Sequence, residues 1–215
     1  MPQRSDSGRS ARPGASTELR ARIAVEAARI IAESGVRDYA FAKQKAALRL
    51  GIYDDAALPK NSEVEDALRA HQRLFQSDDQ PQHLHRLRET ALAAMRFLRE
   101  FEPRLVGAVL DGGADEHSAV CLHLFSDDPD APLRFLDEHA IRYDSHTRRL
   151  RMTPSDHVEF PVLAFAADSA SIDLTIFPLD EQRRAPIDRV TGKPMLRADI
   201  GALQALLDVA TYNSL

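Results

Sequence analysis

Apolar side chains recur every three or four residues through the first hundred positions, a spacing typical of amphipathic helices. The pattern predicts four helices, over residues 16–34, 38–50, 62–76 and 82–100. Asp38 is a predicted N-cap, and Ser62 with Glu65 forms a predicted capping box. Phe41 and Leu48 are expected to face inward from the second helix. The first half of the chain therefore predicts a helical module.

The spacing changes after Pro103, where apolar residues become continuous or alternate in twos, as they do in strands. Residues 105–110 predict a buried strand, and residues 119–125 predict a second strand with alternate residues on opposite faces. The further predicted elements are a helix after Pro129, a hairpin of residues 141–143 and 148–152, an antiparallel pair of residues 158–166 and 171–177, a loop over 178–198 and a helix from Asp199. The predicted fold class is α+β, a helical module followed by a mixed sheet with helices on one side.

Three segments are expected along the 215 residues of the chain. Residues 1–15 are rich in Ser, Gly, Pro and Arg and have no apolar pattern, so they are predicted to be a disordered tail. Residues 16–102 form the predicted helical module, and residues 103–215 form the predicted α+β domain. Hydrophobic residues make up 44% of the chain and charged residues 28%, which is typical of a globular protein with a sizeable core.

The formal net charge of −5 provides no basic field that would attract nucleic acid or a membrane surface. The first residues lack the apolar core of a signal peptide, and no apolar run approaches the length of a membrane span. Cys121 is the only cysteine, so a disulfide within the chain and a cysteine-based zinc site are both excluded. We expect a cytoplasmic protein with no membrane partner and no nucleic-acid partner.

Two of the predicted helices resemble the first two helices of TetR-type repressors. The likeness covers residues 21–35 and 42–51, and it depends on helix spacing and on signals at the helix ends. That family continues with a short turn and a recognition helix, whereas this chain continues with Asp54, Asp55 and Pro59. A DNA-binding function is therefore not expected, and the two helices are interpreted as packing elements.

A glycine turn between two predicted strands is the best candidate for a site. Gly112 and Gly113 follow the first strand, and glycines at such a turn let backbone N–H groups approach a phosphate closely. In this layout, carboxylates at positions i and i+2 of the next strand and a third from a neighbouring strand would hold Mg²⁺. Asp173, in the last predicted strand, is the candidate for the third carboxylate.

This layout resembles the polymerase-β-like nucleotidyltransferase superfamily over residues 104–178. The glycine turn matches that of the family, and residues 118–122 stand where the family has a Ser-Asp-apolar-Asp-Leu motif. Asp173 stands where the third acid of the family is expected. The resemblance implies an α+β core, often with a helical partner domain, together with nucleotidyl transfer, Mg²⁺ as the cofactor and Asp173 as a metal ligand.

The catalytic acids of that family are incomplete in this chain. Ala119 and Cys121 occupy the first two acid positions, and five residues separate Gly113 from Ala119, fewer than the family usually has. One carboxylate cannot assemble a site in which two metal ions neutralise a triphosphate. The alternative ligands are carboxylates in the turn itself, at positions 111, 115 and 116. The catalytic centre is therefore predicted to be degenerate.

Basic residues concentrate in the long loop of residues 178–198. Arg183, Arg184 and Lys193 are predicted to bind phosphate over the glycine turn, because guanidinium and ammonium groups pair with phosphate oxygens. A solvated surface loop held by prolines is the alternative interpretation. Loops of this length without secondary structure of their own are uncommon unless they are functional or mobile.

Two histidines flank the second predicted strand. His117 and His123 offer, together with Asp173, an alternative metal site. The simpler interpretation, which we favour, is one exposed histidine in a turn and one histidine on a face of the sheet.

The function predicted from these residues is that of a nucleotidyltransferase-like protein with degraded catalytic acids, binding a nucleotide or another phosphate-bearing ligand or acting through a partner. One alternative is an active Mg²⁺-dependent nucleotidyltransferase that uses Asp173 and a turn acid. Another is a non-catalytic regulatory protein in which the helices of residues 16–100 bind a protein partner.

Overall fold

The computed structural model describes residues 13–34, 38–75, 80–115, 118–167 and 170–212. The chain divides into two compact units, residues 1–75 and 76–215. The disordered tail predicted over residues 1–15 is too long, because residues 13–15 belong to a helix, and the rest of it lies outside the described residues. No helix in the described ranges is both long and apolar enough to cross a membrane.

Three helices make up the described part of the first unit, and α1 packs against both of the others. They are α1 (Pro13–Ser34), α2 (Tyr39–Arg49) and α3 (Asn61–Phe75), with a 3₁₀ turn at Asp55–Ala57 before α3. Buried side chains at helical spacing form the core, among them Ile23, Ala27, Ile31, Val64 and Leu68. The predicted N-cap of α2 is confirmed, because Asp38 Oδ1 accepts a hydrogen bond from the Phe41 backbone N–H at 3.0 Å.

The outer side of α2 is more apolar than the sequence pattern suggested. Phe41 and Leu48 are 51% and 64% exposed, so the prediction that they face inward is wrong. The buried side chains of α2 are alanines instead, at positions 42, 46 and 47. Small side chains let α2 approach α1 closely, and the large apolar residues are left on the outside.

The N-terminus of α3 is capped differently from the prediction. A capping box was expected at Ser62 and Glu65, but the helix begins earlier and the Lys60 backbone N–H donates to Glu63 Oε2 at 2.6 Å. Glu65 is buried inside the first unit. A glutamate carboxylate therefore does accept a backbone N–H at the start of α3, but this contact lies two residues earlier than predicted.

The second unit holds a five-stranded mixed sheet among its described residues. Its elements are α4 (Gln80–Phe97), β1 (Arg104–Val106), α5 (Ala108–Asp111), β2 (Val120–Phe125), α6 (Ala131–Glu138), β3 (Asp144–Arg151), β4 (His157–Ala167), β5 (Ala170–Phe177) and α7 (Ile200–Tyr212). The strand order is β1-β2-β5-β4-β3, with β2 and β5 parallel and each other neighbouring pair antiparallel. The predicted α+β class and mixed sheet are confirmed.

Helices cover one face of this sheet. Along β2 the residues at positions 120, 122 and 124 point to that face, where they join buried side chains of α4, α5, α6 and α7 in one apolar core. The opposite face, called the second face below, carries the alternate positions of β2 and β5. It includes Cys121, His123, Asp173 and Thr175. Each strand is thus apolar towards the helices and partly polar on the second face.

Helix α4 belongs to this sheet unit, although the predicted division at residues 102 and 103 grouped it with the helices before it. Its inward residues Leu87, Ala91 and Met95, and Leu98 directly after the helix, are buried in the same core as the central strands. The spacing of apolar positions over residues 82–100 predicts this face from the sequence, with Leu84 as a further member that is partly buried. The sequence pattern therefore gave the correct face of α4, and the structure supplies the surface that it packs on.

Two strand predictions are wrong. The strand expected over residues 105–110 ends at Val106, and Gly107 then adopts φ 72° and ψ −154°, which turns the chain into the short helix α5. The hairpin expected within residues 141–152 is replaced by the single strand β3, whose partner is β4. The antiparallel pair expected from residues 158–177 is confirmed as β4 and β5.

Candidate functional site

An ion pair on the second face joins two strands that are not neighbours. Arg148 of β3 crosses β4 and donates from Nη1 and Nη2 to the two carboxylate oxygens of Asp173 on β5, at 2.9 and 2.6 Å. Ala164, the β4 residue in register with Asp173, has a small side chain. A weaker contact of 3.4 Å links Arg148 Nη1 to the Thr175 hydroxyl. The bidentate geometry is the strongest form of guanidinium–carboxylate pairing.

Asp173 lies directly beside the position where the resemblance expected a second acid. Cys121 and Asp173 are register partners in the parallel pair of β2 and β5, and both belong to the second face. Burial acts against the charged form of Arg148, but the Asp173 carboxylate outweighs it, and the pKa of Arg148 is raised. Arg148 is therefore charged, and its guanidinium is held by one carboxylate.

His123, two residues along β2, is buried and uncharged. Burial and the positive charges of Arg197 and Arg148 lower the pKa of His123 from 6.5 to about 3. Its Nδ1 accepts a hydrogen bond from Arg197 Nε at 3.0 Å, which requires a neutral ring with its proton on Nε2. The expectation of a histidine on a sheet face is confirmed for His123, whereas His117 lies outside the described residues.

The predicted long loop is a strap across one end of the second face. Residues 178–198, called the strap below, begin with a 3₁₀ turn at Leu179–Arg183 and end where Ala198 and Leu105 exchange backbone hydrogen bonds of 2.8 and 2.9 Å. Midway, the Ile187 N–H donates to the Arg151 carbonyl of β3 at 2.7 Å. The strap thus touches strands at both edges of the sheet.

Arg197 fixes the strap to the sheet. Its guanidinium lies 5.0 Å from the ring centre of Phe125 and 5.2 Å from that of Phe177, while Nη1 donates to strap carbonyls at 2.9 to 3.3 Å. Burial lowers the pKa of Arg197 to about 10. Its remaining nitrogen, Nη2, is buried without a hydrogen-bond partner in the described part of the chain. This guanidinium organises the strap, and among the described residues it forms no ion pair with a carboxylate.

The three basic residues predicted to bind phosphate lie on the surface of the strap. Arg183 and Lys193 are exposed, and Arg184 forms an ion pair with Glu181 three residues before it. No described contact joins any of them to the glycine turn or to Asp173. Their role in binding phosphate stays a prediction.

The glycine turn itself lies on the helix side of the sheet. Gly112, with φ 83°, faces Leu84 and Arg88 of α4, and Gly113 is buried. Arg88 donates to the backbone carbonyls at positions 109 and 110, at 3.1 and 3.2 Å, and so holds the end of α5. Asp173 projects from the opposite face, so no described contact unites the turn with this carboxylate.

The residues present do not fit a magnesium ion. Mg²⁺ requires an octahedron of oxygen ligands, usually with more than one carboxylate or phosphate. Both oxygens of Asp173 are bonded to Arg148, and the described residues include no group of three His, Cys, Asp or Glu side chains placed to hold a metal. Among the turn acids, Asp115 is buried against Ser118, Asp111 is exposed, and position 116 lies outside the described residues.

Sequence reasoning missed Arg148 as a site residue. Arg148 lies in a segment that was predicted to be half of a short hairpin. The sequence pattern did not indicate which face of the sheet its side chain belongs to. Arg197 lies among several basic residues of the loop over 178–198, and nothing in the sequence distinguishes it from them. The ion pair of Arg148 with Asp173 spans an intervening strand, so it depends on the order of strands in the sheet. The spacing of residues along the sequence does not reveal such a pair.

No protein-family model, curated protein sequence or solved structure gives a significant match to this chain. The resemblance to the polymerase-β-like superfamily therefore stays a prediction. The chemistry of the site has to be argued from its own residues: one paired carboxylate, two half-buried guanidinium groups and one neutral imidazole.

Proposed function

We propose that this chain is a cytoplasmic nucleotidyltransferase-like protein that has lost its catalytic acids and binds a nucleotide or another phosphate-bearing ligand on the second face. The observation that carries the proposal is the register of Cys121 with Asp173. These positions are adjacent on one face, as paired metal-binding acids would be, but one is a thiol and the other is already neutralised by Arg148.

The order of the central strands supports the fold part of this proposal. β1 runs antiparallel to β2, β2 runs parallel to β5, and the three strands lie side by side in that order. The candidate acid positions 121 and 173 then fall on the two parallel strands, on the face away from the helices. The chain also turns from strand to helix at Gly107, closer to β1 than the predicted glycine turn.

The charge of the site favours binding over catalysis. Nucleotidyl transfer depends on metal ions that neutralise the phosphates and orient the attacking group. Here the only carboxylate of the Cys121–Asp173 pair, that of Asp173, is already bound to Arg148. Two guanidinium groups, those of Arg148 and Arg197, lie on the same face. Guanidinium groups attract phosphate oxygens but do not activate a nucleophile.

Calorimetric titration of the full chain with ATP, ADP and AMP, combined with a label-transfer assay, tests this proposal. We expect saturable binding and no incorporation of label from ATP. Transfer that is abolished by Asp173→Ala would instead establish an active enzyme. Absence of binding for every nucleotide would refute a nucleotide as the ligand.

A second candidate function is protein binding through the helical unit, and the outer side of α2 favours it. Phe41 and Leu48 lie seven residues apart and are exposed together, with Lys45 over the Phe41 ring at 5.3 Å. Exposed large apolar residues on one helix face are typical of interaction surfaces. A photo-crosslinker at position 48 should capture a protein in cells, whereas one at Asp66, an exposed position on α3, should capture it far less. Equal capture from both positions would contradict this function.

A further inference from the structure

Arg148 retains hydrogen-bonding capacity after it has paired with Asp173. A guanidinium carries five N–H groups, arranged as two forks that can each hold an oxyanion. Nη1 and Nη2 supply the fork that holds Asp173. Nε and the second N–H of Nη2 form the other fork, and no described residue accepts from Nε.

The free fork of Arg148 is reachable from solvent. The side chain is 32% exposed, while its partner Asp173 is 14% exposed. Nε of Arg148 is not fully buried, so it can be reached by solvent, whereas Nη2 of Arg197 is buried and lacks a partner among the described residues. An anion can therefore approach Arg148 without displacing Asp173.

The groups around Arg148 leave room for a negative charge and no place for a second positive ion. His123 is neutral, and Cys121 replaces the acid that would complete a metal site. Asp144, the other carboxylate that the described strands carry on this face, is exposed on β3 with Ala164 of β4 between it and Asp173. Asp173 orients the guanidinium in the way that outer carboxylates orient a metal ligand.

We infer that this site takes phosphate without a divalent cation, with Arg148 bound to Asp173 where a metal ion would otherwise stand and with its second fork holding the phosphate. The inference rests on the proposed function, since it specifies how that ligand is held. The ligand class is a free phosphate anion or phosphate ester, and not its magnesium complex.

The test is calorimetric titration of the full chain with ATP and with inorganic tripolyphosphate, each in EDTA and in excess Mg²⁺. We expect Kd values in EDTA that are equal to or lower than those in Mg²⁺. Arg148→Met should weaken binding in EDTA about tenfold or more, as expected for loss of a charge-assisted bidentate contact. Arg149→Met is the matched control, because Arg149 is exposed on the other side of the same strand, and it should change Kd less than twofold.

Removal of Arg148 leaves the Asp173 carboxylate without its partner, so a second variant guards against misfolding. Arg148→Lys keeps the charge beside Asp173 but lacks the second fork, and it should still weaken metal-free binding. In the wild-type protein, the ¹⁵Nε resonance of Arg148 should shift on adding tripolyphosphate in EDTA. ATP tighter than tripolyphosphate would identify a nucleotide ligand, and equal affinities would identify a polyphosphate site; both agree with the inference.

Three outcomes would overturn it. Binding that appears only with Mg²⁺ would refute metal-free binding while leaving the proposed function in place. Binding in EDTA that is unchanged in both Arg148 variants, with no shift of its ¹⁵Nε resonance, would place the ligand elsewhere. No binding of either probe under both conditions would refute the proposed function and the inference with it.

Discussion

Arg197 of the strap donates a 3.0 Å hydrogen bond to Nδ1 of His123 on β2, two residues that are 74 positions apart in the sequence. The bond joins a half-buried cation to a buried neutral acceptor, and both groups pack on the ring of Phe177. It holds the strap over the sheet only while the imidazole is uncharged. Protonation of His123 would place two positive charges side by side.

Acid should therefore destabilise the protein through His123. The pKa of His123 is about 3 in the folded chain, against 6.5 for an ordinary histidine, so below pH 6.5 the unfolded chain binds a proton that the folded chain excludes. The contribution of His123 is fully present above pH 6.5 and is lost towards pH 3, at up to about 1.4 kcal/mol per pH unit. Urea unfolding at several pH values measures this loss.

His123→Gln is the comparison for that measurement, because its carbonyl oxygen can accept from Arg197 and it does not titrate. The difference in free energy of unfolding between wild type and variant should shrink as the pH falls from 7 to 5. Parallel pH profiles for the two proteins would show that His123 is not the titrating group.

Loss of Arg197 should loosen the strap. Arg197→Met removes the hydrogen bonds to His123 and to three strap carbonyls, and we expect a loss of about 2–3 kcal/mol in the free energy of unfolding. Hydrogen exchange should accelerate at the Ile187 amide, which bonds to Arg151. Arg183→Met, at an exposed strap position, should change stability by less than about 0.5 kcal/mol. Equal effects of the two substitutions would contradict this role of Arg197.

Alanine at two glycines should change stability in opposite directions. Gly107 has φ 72° and ψ −154°, a region that other residues rarely adopt, so Gly107→Ala should cost about 1–3 kcal/mol although its surroundings are open. Gly201, near the start of α7, has no positive φ and its added Cβ would meet only Asp199 Oδ1, at 3.5 Å. Gly201→Ala should therefore stabilise by about 0.5–1 kcal/mol. Thermal unfolding of both variants checks the prediction, and a destabilised Gly201→Ala would refute it.

Two leucines of the first unit should differ sharply in their contributions to stability. Leu68 is fully buried among α1, α2 and α3, so Leu68→Ala should cost about 2–5 kcal/mol through lost burial and the cavity left behind. Leu48 is 64% exposed, and Leu48→Ala should cost less than about 0.5 kcal/mol. Denaturant unfolding distinguishes them, and a large loss on Leu48→Ala would indicate that the outside of α2 is covered in solution.

The spacing of apolar residues was sufficient to predict elements that bury a single apolar face in the core. It placed the inward residues of α4, the alternation of β2 and the pairing of β4 with β5, because each depends on neighbours along the chain. It failed at Phe41 and Leu48, where alanines on the other side of α2 make the closer contact with α1. Apolar spacing alone does not distinguish a buried face from an exposed one when both contain apolar residues.

The candidate site was less accessible to sequence reasoning. Asp173 was identified from its position, but its partner Arg148 comes from a strand whose neighbours were assigned wrongly. The predicted glycine turn faces α4, because the chain leaves β1 at Gly107 and forms α5 first. The first difference arises from the order of strands in the sheet, and the second from the turn at Gly107; the spacing of apolar residues encodes neither.

The parallel pairing of β2 with β5 also has a consequence for folding kinetics. Cys121 and Asp173 are register partners about fifty residues apart, whereas β4 and β5 form a local hairpin. Closing a long loop costs entropy before its contacts form, so we expect the hairpin to assemble early and its docking beside β2 to limit the folding rate. Arg148 and Asp173, which both lie in the β3–β5 meander, would then meet before Cys121 and His123 arrive beside them.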